Sequence, residues 1–152
     1  MKNYILACFF LLALVGCNDE GSGCGDIDCT SPAPNFYFEL VDKDTSENLF
    51  TNGTLNSEDV SVVDENGTVV DAKFYSEDDL NLISAALGWD TSITNYTILV
   101  GSELEIDIYL AVERKTKNCC SFYEVIEFSI PDYEYEKKNP HSVTIFIDDL
   151  NL

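Results

Sequence analysis

One segment constrains the fold of this chain more than any other. In "ELEIDIYLAVE", residues 103–113, every second side chain is apolar and most of the side chains between them are acidic. A period of two places alternate side chains on opposite faces of a β-strand. The pattern is typical of an antiparallel strand with one face on a core and one face in water. The core face is predicted to carry Leu104, Ile106, Ile108, Leu110 and Val112.

Other segments share this period and predict an all-β domain. The first is "FYFELV", in which Phe36, Phe38 and Leu40 share one face. Asn66-Gly67 is a strong hairpin-turn signal between two of the segments. About seven or eight short strands separated by turns predict a single antiparallel β-sandwich, Ig-like or transthyretin-like, over residues 35–152. The remaining strands are expected at Val60–Asp64, Thr68–Tyr75, Tyr96–Val100, Ser121–Ile130 and Ser142–Asp148.

The segment after Tyr75 fits two structures. Ser76–Asp79 resembles a capping box, and Leu80, Ile83 and Leu87 would form one helical stripe. The alternation of Ile83, Ala85, Leu87 and Trp89 instead favours a strand. Since the neighbouring segments are all strands, we predict a strand here.

The N-terminus carries an apolar run, Ile5–Val15, behind the positive Lys2. A membrane-spanning helix needs about 20 apolar residues, so this run has the length of a signal-peptide core instead. Leu14-Val15-Gly16-Cys17 lies at the end of this run and resembles the lipobox of bacterial lipoproteins. The resemblance implies that residues 1–16 are removed and that Cys17 is lipidated by a diacylglycerol thioether and an amide-linked acyl chain such as palmitate. More than one chain makes such an anchor stable.

The resemblance also implies a location. Residues 17–34 are expected to form a flexible tether, and the acidic residues after Cys17, in Asn18-Asp19-Glu20, resemble export signals of surface lipoproteins in the Bacteroidota. The protein is therefore expected in the cell envelope as an outer-membrane lipoprotein. Surface display and the periplasmic face both stay open.

A second resemblance concerns the start of the domain. "FELVDKDTSENLFTNGTLNSEDVSVVDENGTVV" is similar to the opening of transthyretin-like or prealbumin-like modules, which run from a strand through a D-x-x-T-x-E-x-L turn to a V-x-V strand and a D-x-x-G hairpin. The loop "FTNGTLNSED" is longer and more polar than in those modules. The resemblance implies a fold and no activity.

Four cysteines remain once the signal peptide and the lipidated Cys17 are set aside. These are Cys24, Cys29, Cys119 and Cys120, an even number that predicts disulfides in an exported protein. Bridges from the tether to the Cys119-Cys120 pair would pin the tether to the domain. The alternatives are a local Cys24–Cys29 loop with a vicinal bridge, or a zinc site, for which the spacing is unusual.

The charge of the chain excludes one class of partner. It holds 28 acidic residues and, once Lys2 is lost, seven basic ones, a formal charge near −21. Phosphate binding depends on clustered Lys and Arg, which are lacking here, so nucleic-acid binding is excluded.

Candidate sites are few. His141, the single histidine, follows a proline and reads as a turn residue, and no catalytic motif is present, so an enzyme is not expected. No cofactor is expected except structural calcium, for which Asp26, Asp28, Asp42 and Asp44 are weak candidates. The candidate binding aromatics are Trp89, Tyr133 and Tyr135, which would serve as a platform only if exposed; burial in the core is the favoured reading for all three.

These observations predict a non-catalytic binding or structural module with an unidentified protein or glycan partner. A surface glycan-binding accessory module is the first alternative, and an exposed aromatic platform would favour it. A periplasmic hydrolase or inhibitor is the second. A hydrolase would need a cleft with a paired nucleophile and base, and an inhibitor would need a protruding loop such as Thr51–Asp59.

Overall fold

The computed structural model describes residues 34–102, 104–117 and 120–148, and these form nine β-strands and two short 3₁₀ turns, at Ser57–Asp59 and Glu77–Asp79. Among these residues there is no helix with the length and apolarity needed to cross a membrane. The strands are β1 (Asn35–Asp42), β2 (Val60–Asp64), β3 (Ala72–Tyr75), β4 (Leu82–Ala86), β5 (Asn95–Val100), β6 (Leu104–Lys117), β7 (Cys120–Ser129), β8 (Glu134–Asn139) and β9 (Ser142–Ile147).

The strands form two sheets in a sandwich-like arrangement. One sheet has the order β3-β4-β1-β9-β8 and the other has the order β2-β5-β6-β7. Neighbouring strands are antiparallel, with the exception of the parallel pair β1 and β9. The predicted all-β class is confirmed.

One hydrophobic core joins the two sheets, and the period-two pattern accounts for it. Alternate residues of β1 and β6 point inward, as the sequence predicts. Phe128 of β7 brings a ring from the second sheet to within 5.6 Å of the Phe36 ring of the first. The inward residues of β1 and β6 are all buried: Phe36, Phe38, Leu40, Leu104, Ile106, Ile108, Leu110 and Val112.

The ambiguous segment is a strand, as predicted. Ile83, Ala85 and Leu87 are fully buried, and the helical signal is limited to the 3₁₀ turn Glu77–Asp79. In contrast, β8 was not predicted. Its sequence "EYEKKN" is mostly charged because β8 is an edge strand, where charged side chains discourage pairing with other chains.

The Asn66-Gly67 turn forms, but the hairpin predicted around it does not continue. Gly67 has φ +76°, and its N–H donates to the Asp64 carbonyl at 2.8 Å. Beyond a single bridge between Val63 and Val69 the chain leaves this sheet, and β3 pairs with β4 in the other. The predicted strand Thr68–Tyr75 is therefore shortened to Ala72–Tyr75, because the crossing segment belongs to neither sheet.

The strands β6 and β7 continue past the end of β5. Only Leu104–Tyr109 of β6 pair with β5, and the rest of β6 pairs with β7 alone. We call residues 112–117 and 120–125 the arm. A register shift between Ala111 and Val112 marks its base, and such bulges increase the local twist of a strand pair.

Candidate functional site

Trp89 lies at the surface, and the expectation that it belongs to the core is wrong. The alternation of β4 carries Leu87 into the core but stops there, and Trp89 is 64% exposed. The cause is Gly88, whose φ of +75° turns the chain out of the extended conformation. Glycine adopts this left-handed conformation without steric cost.

The backbone before Trp89 is held from two sides. The buried N–H of Gly88 donates to the Tyr96 hydroxyl at 3.0 Å. On its other side, a Cβ at this position would lie 2.6 Å from Cγ2 of Val112. Position 88 is therefore packed against β5 and β6, which sets where the Trp89 side chain begins.

The loop after Trp89 is ordered by Asp90. Its Oδ1 accepts from the Ser92 N–H at 2.9 Å and from the Ser92 hydroxyl at 2.6 Å. The hydrogen bond from the Ser92 side chain, followed by that from its backbone, lowers the pKa of Asp90. The carboxylate is therefore ionised at neutral pH, and Oδ2 accepts no hydrogen bond from the described residues.

The arm supplies the opposite wall. Arg114 of β6 and Tyr123 of β7 are directly paired in register. The rings of Trp89 and Tyr123 lie 5.9 Å apart between centroids, at an interplanar angle of 34°. Tyr123 thus supports the exposed Trp89 ring from the arm, and such aromatic pairs contribute about 0.5 to 1.5 kcal/mol beyond their buried area.

Two depressions flank Trp89, and together we call them the Trp89 cleft. The first, on the arm side, has a volume of about 280 Å³. The second, on the core side, has about 140 Å³ and is more apolar. Trp89 and Asp90 line both. The arm side is completed by Thr91, Arg114 and Tyr123, and the core side by Asp64, Val70, Ala86, Ile93 and Tyr96.

The cleft combines three kinds of recognition. The aromatic rings offer flat apolar surface, Asp90 offers a carboxylate acceptor, and the Arg114 guanidinium offers several donors in a planar fork. Apolar surface with a few convergent polar groups is typical of small-ligand sites. Such a set suits a ligand with an apolar face and hydroxyl groups around its edge.

The other two candidate aromatics do not join this cleft. Tyr133 and Tyr135 are partly buried and pack against the core, as expected of core residues. Their hydroxyls donate to backbone carbonyls, that of Glu105 at 3.2 Å and that of Phe128 at 3.3 Å. Neither residue lines the Trp89 cleft.

The candidate calcium ligands are not gathered into a site by the described residues. Oδ1 of Asp42 accepts from the backbone N–H groups of Asp44 and Thr45 and from the Thr45 hydroxyl, at 2.7 to 3.0 Å. These bonds, with those from Thr45 largest, lower the pKa of Asp42 and serve the turn after β1. Within residues 34–102, 104–117 and 120–148, no three His, Cys, Asp or Glu side chains are grouped to hold a metal. Asp26 and Asp28 lie outside the described residues.

Most of the cysteine predictions also lie outside the described residues. This applies to Cys17, Cys24, Cys29 and Cys119. Cys120 is the first residue of β7 and is not a free thiol. The disulfide connectivity therefore stays a prediction.

The loop considered for an inhibitor is anchored to the domain. Leu55, near its middle, is buried, and its N–H donates to the Leu49 carbonyl at 2.9 Å. His141 lies in the turn before β9, as predicted, and its ring contacts Phe36 edge-on with 5.1 Å between centroids.

Arg114, Tyr123 and Asp90 were missed by the sequence reasoning. Arg114 did leave a signal, since it continues the inward register of Leu110 and Val112 as a charged residue. A cation at an inward-facing position of a strand indicates that the strand extends beyond the hydrophobic core. Tyr123 and Asp90 left no comparable signal.

Comparison with known proteins identifies no relative. No protein-family model, no curated protein and no solved structure matches this chain.

Proposed function

We propose that the protein is a non-catalytic glycan-binding module, and that the Trp89 cleft is its binding site. The observation that carries this proposal is the Trp89 ring, exposed to 64% yet supported by Tyr123 at 5.9 Å. Trp and Tyr are enriched at interfaces, and Trp is among the residues most enriched in binding hot spots.

Sugars match the chemistry of the cleft. A pyranose ring has a face of C–H groups, which stacks on an aromatic ring, and an edge of hydroxyls. Oδ2 of Asp90 is placed to accept from such hydroxyls, and charge-assisted hydrogen bonds are about twice as strong as neutral ones. The Thr91 hydroxyl, which also lines the cleft, can donate or accept.

The two depressions favour a chain over a single sugar. Both depressions border Trp89, so that a unit stacked on its ring leaves room beside it for neighbouring units. We expect affinity to rise from mono- to trisaccharide and then to level off.

The proposal also includes attachment to the outer membrane through the lipidated Cys17. It further includes disulfides among Cys24, Cys29, Cys119 and Cys120, and a fold of the transthyretin-like or Ig-like type. The lipobox supports the anchor, and the parallel pairing of the first and last strands of the domain is compatible with the fold type. A Cys17→Ser variant is expected to lose the lipid mass and leave the membrane fraction. Protease treatment of intact and permeabilised cells then distinguishes surface display from the periplasmic face.

The central experiment uses Trp89 as its own reporter, since it is the single tryptophan. A panel of neutral and acidic oligosaccharides is titrated while Trp89 emission is followed. A blue shift or quenching that saturates supports the proposal. Absence of any response across the panel, with calorimetry agreeing, contradicts it.

A variant pair tests the site independently of the reporter. Trp89→Ala is expected to weaken binding at least about tenfold by calorimetry while leaving the fold intact, because the ring is largely exposed. Phe122→Ala is the matched control: it removes another exposed aromatic of the arm, one that does not line the cleft. Equal effects of both variants would speak against the cleft.

A further inference from the structure

We propose that Arg114 makes the Trp89 cleft selective for acidic sugars, so that the ligand is a uronate-containing glycan chain. This inference rests on the proposed glycan-binding function and adds the chemical class of the ligand.

The first argument is the isolation of Arg114 in a strongly acidic protein. The chain carries 28 acidic residues, yet no carboxylate of the described residues lies within ion-pair distance of the Arg114 guanidinium. Its sequence neighbour Lys115, in contrast, pairs with Glu113 and Glu124. Arg114 is thus the cation of the arm that faces the cleft and keeps its donors available there.

The second argument is the position of Arg114 relative to the aromatic rings. It is paired in register with Tyr123, which contacts Trp89, and all three line the arm-side depression. In a uronate the carboxylate is attached at the edge of the pyranose ring. A uronate stacked on Trp89 would therefore direct its carboxylate sideways, toward the arm, where a guanidinium can bind both oxygens.

The third argument is the separation of charges within the cleft. Asp90 lines both depressions, whereas Arg114 lines the arm side alone. Oδ1 of Asp90 is held by the two donors of Ser92, so part of its charge is already compensated. The hydroxyl edge of the ligand is then expected at Asp90 and the carboxylate edge at Arg114.

The overall charge of the protein sharpens the test. A net charge of −20 repels polyanions in general, and at physiological salt this repulsion is screened beyond about 8 Å. Non-specific ion exchange is therefore disfavoured, and tighter binding of an acidic glycan than of its neutral ester would indicate a local cation.

The experiment titrates galacturonate, mannuronate and guluronate tetramers, each beside its methyl ester, and follows Trp89 emission and calorimetric heat. The ester keeps the sugar ring and removes the charge. We expect at least one acid to bind about tenfold or more tightly than its ester. We expect Arg114→Gln to abolish that difference and Arg114→Lys to restore it in part, because lysine lacks the planar fork.

Lys117→Gln is the matched control, since it removes a cation of the same arm that does not line the cleft, and it should leave the preference unchanged. Equal binding of acid and ester, an unaffected preference in Arg114→Gln, or binding of neutral glycans alone would overturn this inference and leave the glycan-binding function standing. Failure of every glycan, neutral and acidic, would overturn the proposed function as well.

Discussion

At the scale of single residues, Gly88 determines where the core ends and the surface site begins. It terminates the inward alternation of β4, donates to Tyr96 and packs against Val112. The next residue, Trp89, is directed outward as a consequence. One backbone conformation therefore turns a hydrophobic residue away from the core and into the lining of the Trp89 cleft.

Replacing Gly88 by alanine is expected to destabilise the protein by about 2 to 4 kcal/mol, because a left-handed non-glycine residue and an overpacked contact each cost about 1 kcal/mol or more. Chemical denaturation measures the change. Gly101→Ala is the matched control, since Gly101 has φ +64° but no atom within 4 Å of the added Cβ, and it should cost only about 1 kcal/mol. Equal costs would show that the Val112 contact is readily relieved.

Tyr96→Phe is expected to cost about 1 to 3 kcal/mol, because it leaves the buried Gly88 N–H without its acceptor. Burial raises the pKa of Tyr96, so its hydroxyl stays protonated at neutral pH while accepting this bond. Denaturation curves and the emission maximum of Trp89 report the two consequences. Tyr109→Phe should change neither, since no hydrogen bond of the Tyr109 hydroxyl is found among the described residues.

At the scale of elements, β6 has two different roles along its length. Its first part is a central strand between β5 and β7, and its second part belongs to the arm that walls the cleft. The inward face changes accordingly from buried aliphatic residues to Arg114. The same alternation thus builds a core and, beyond the end of β5, one wall of the Trp89 cleft.

Ile106→Ala tests the core part of β6. Ile106 is fully buried, and truncation of such a side chain costs about 2 to 5 kcal/mol through lost burial and a cavity. Its neighbour Glu105 points to solvent, so that Glu105→Ala should stay within about 0.5 kcal/mol of the wild type. Similar losses for both variants in urea denaturation would contradict the register of this strand.

At the scale of the whole molecule, electrostatics is dominated by repulsion. The net charge of −20 favours solubility and disfavours compactness. Ion pairs across distant parts of the chain offset part of this. Glu39 of β1 accepts from Lys138 of β8 at 2.6 Å and from Thr144 of β9 at 3.0 Å, which joins three strands of one sheet.

Glu39 is expected to make stability depend on pH. Burial raises its pKa, but the bonds from Lys138 and Thr144 outweigh burial, and the pKa lies below the ordinary 4.5. A lowered pKa means that the stabilisation is present above about pH 4.5 and is lost as the pH falls through the folded-state value. Glu39→Gln should therefore be about 1 kcal/mol less stable at pH 7, with the difference closing below pH 4.5.

Denaturation midpoints of Glu39→Gln and wild type across pH 3 to 7, about one pH unit apart, measure this closing difference. Glu134→Gln is the control, because the carboxylate of Glu134 is largely exposed at 3.6 Å from Lys43, and it should have little effect at any pH. Relief of general repulsion on mild acidification is common to all three proteins and cancels in the comparison.

The sequence by itself determined the class of the fold and most of its core. Period-two alternation is a local property, and a strand that buries one face shows it in its own residues, as in Phe36, Phe38 and Leu40 or in Leu104–Val112. The strand choice for Ile83–Leu87 followed from the same rule. The edge strand β8 was not predicted because an edge strand pairs through its backbone and needs no apolar face.

Only the tertiary structure decided the crossing of β3 to the other sheet, the exposure of Trp89 and the cleft around it. Pairing partners are chosen by packing between segments distant in sequence, which no local pattern records. Trp89, Arg114 and Tyr123 come together because Gly88 turns the chain outward and because β6 and β7 extend beyond β5. The sequence contains each of these residues, but their proximity depends on the conformation of Gly88 and on how far β6 and β7 extend beyond β5.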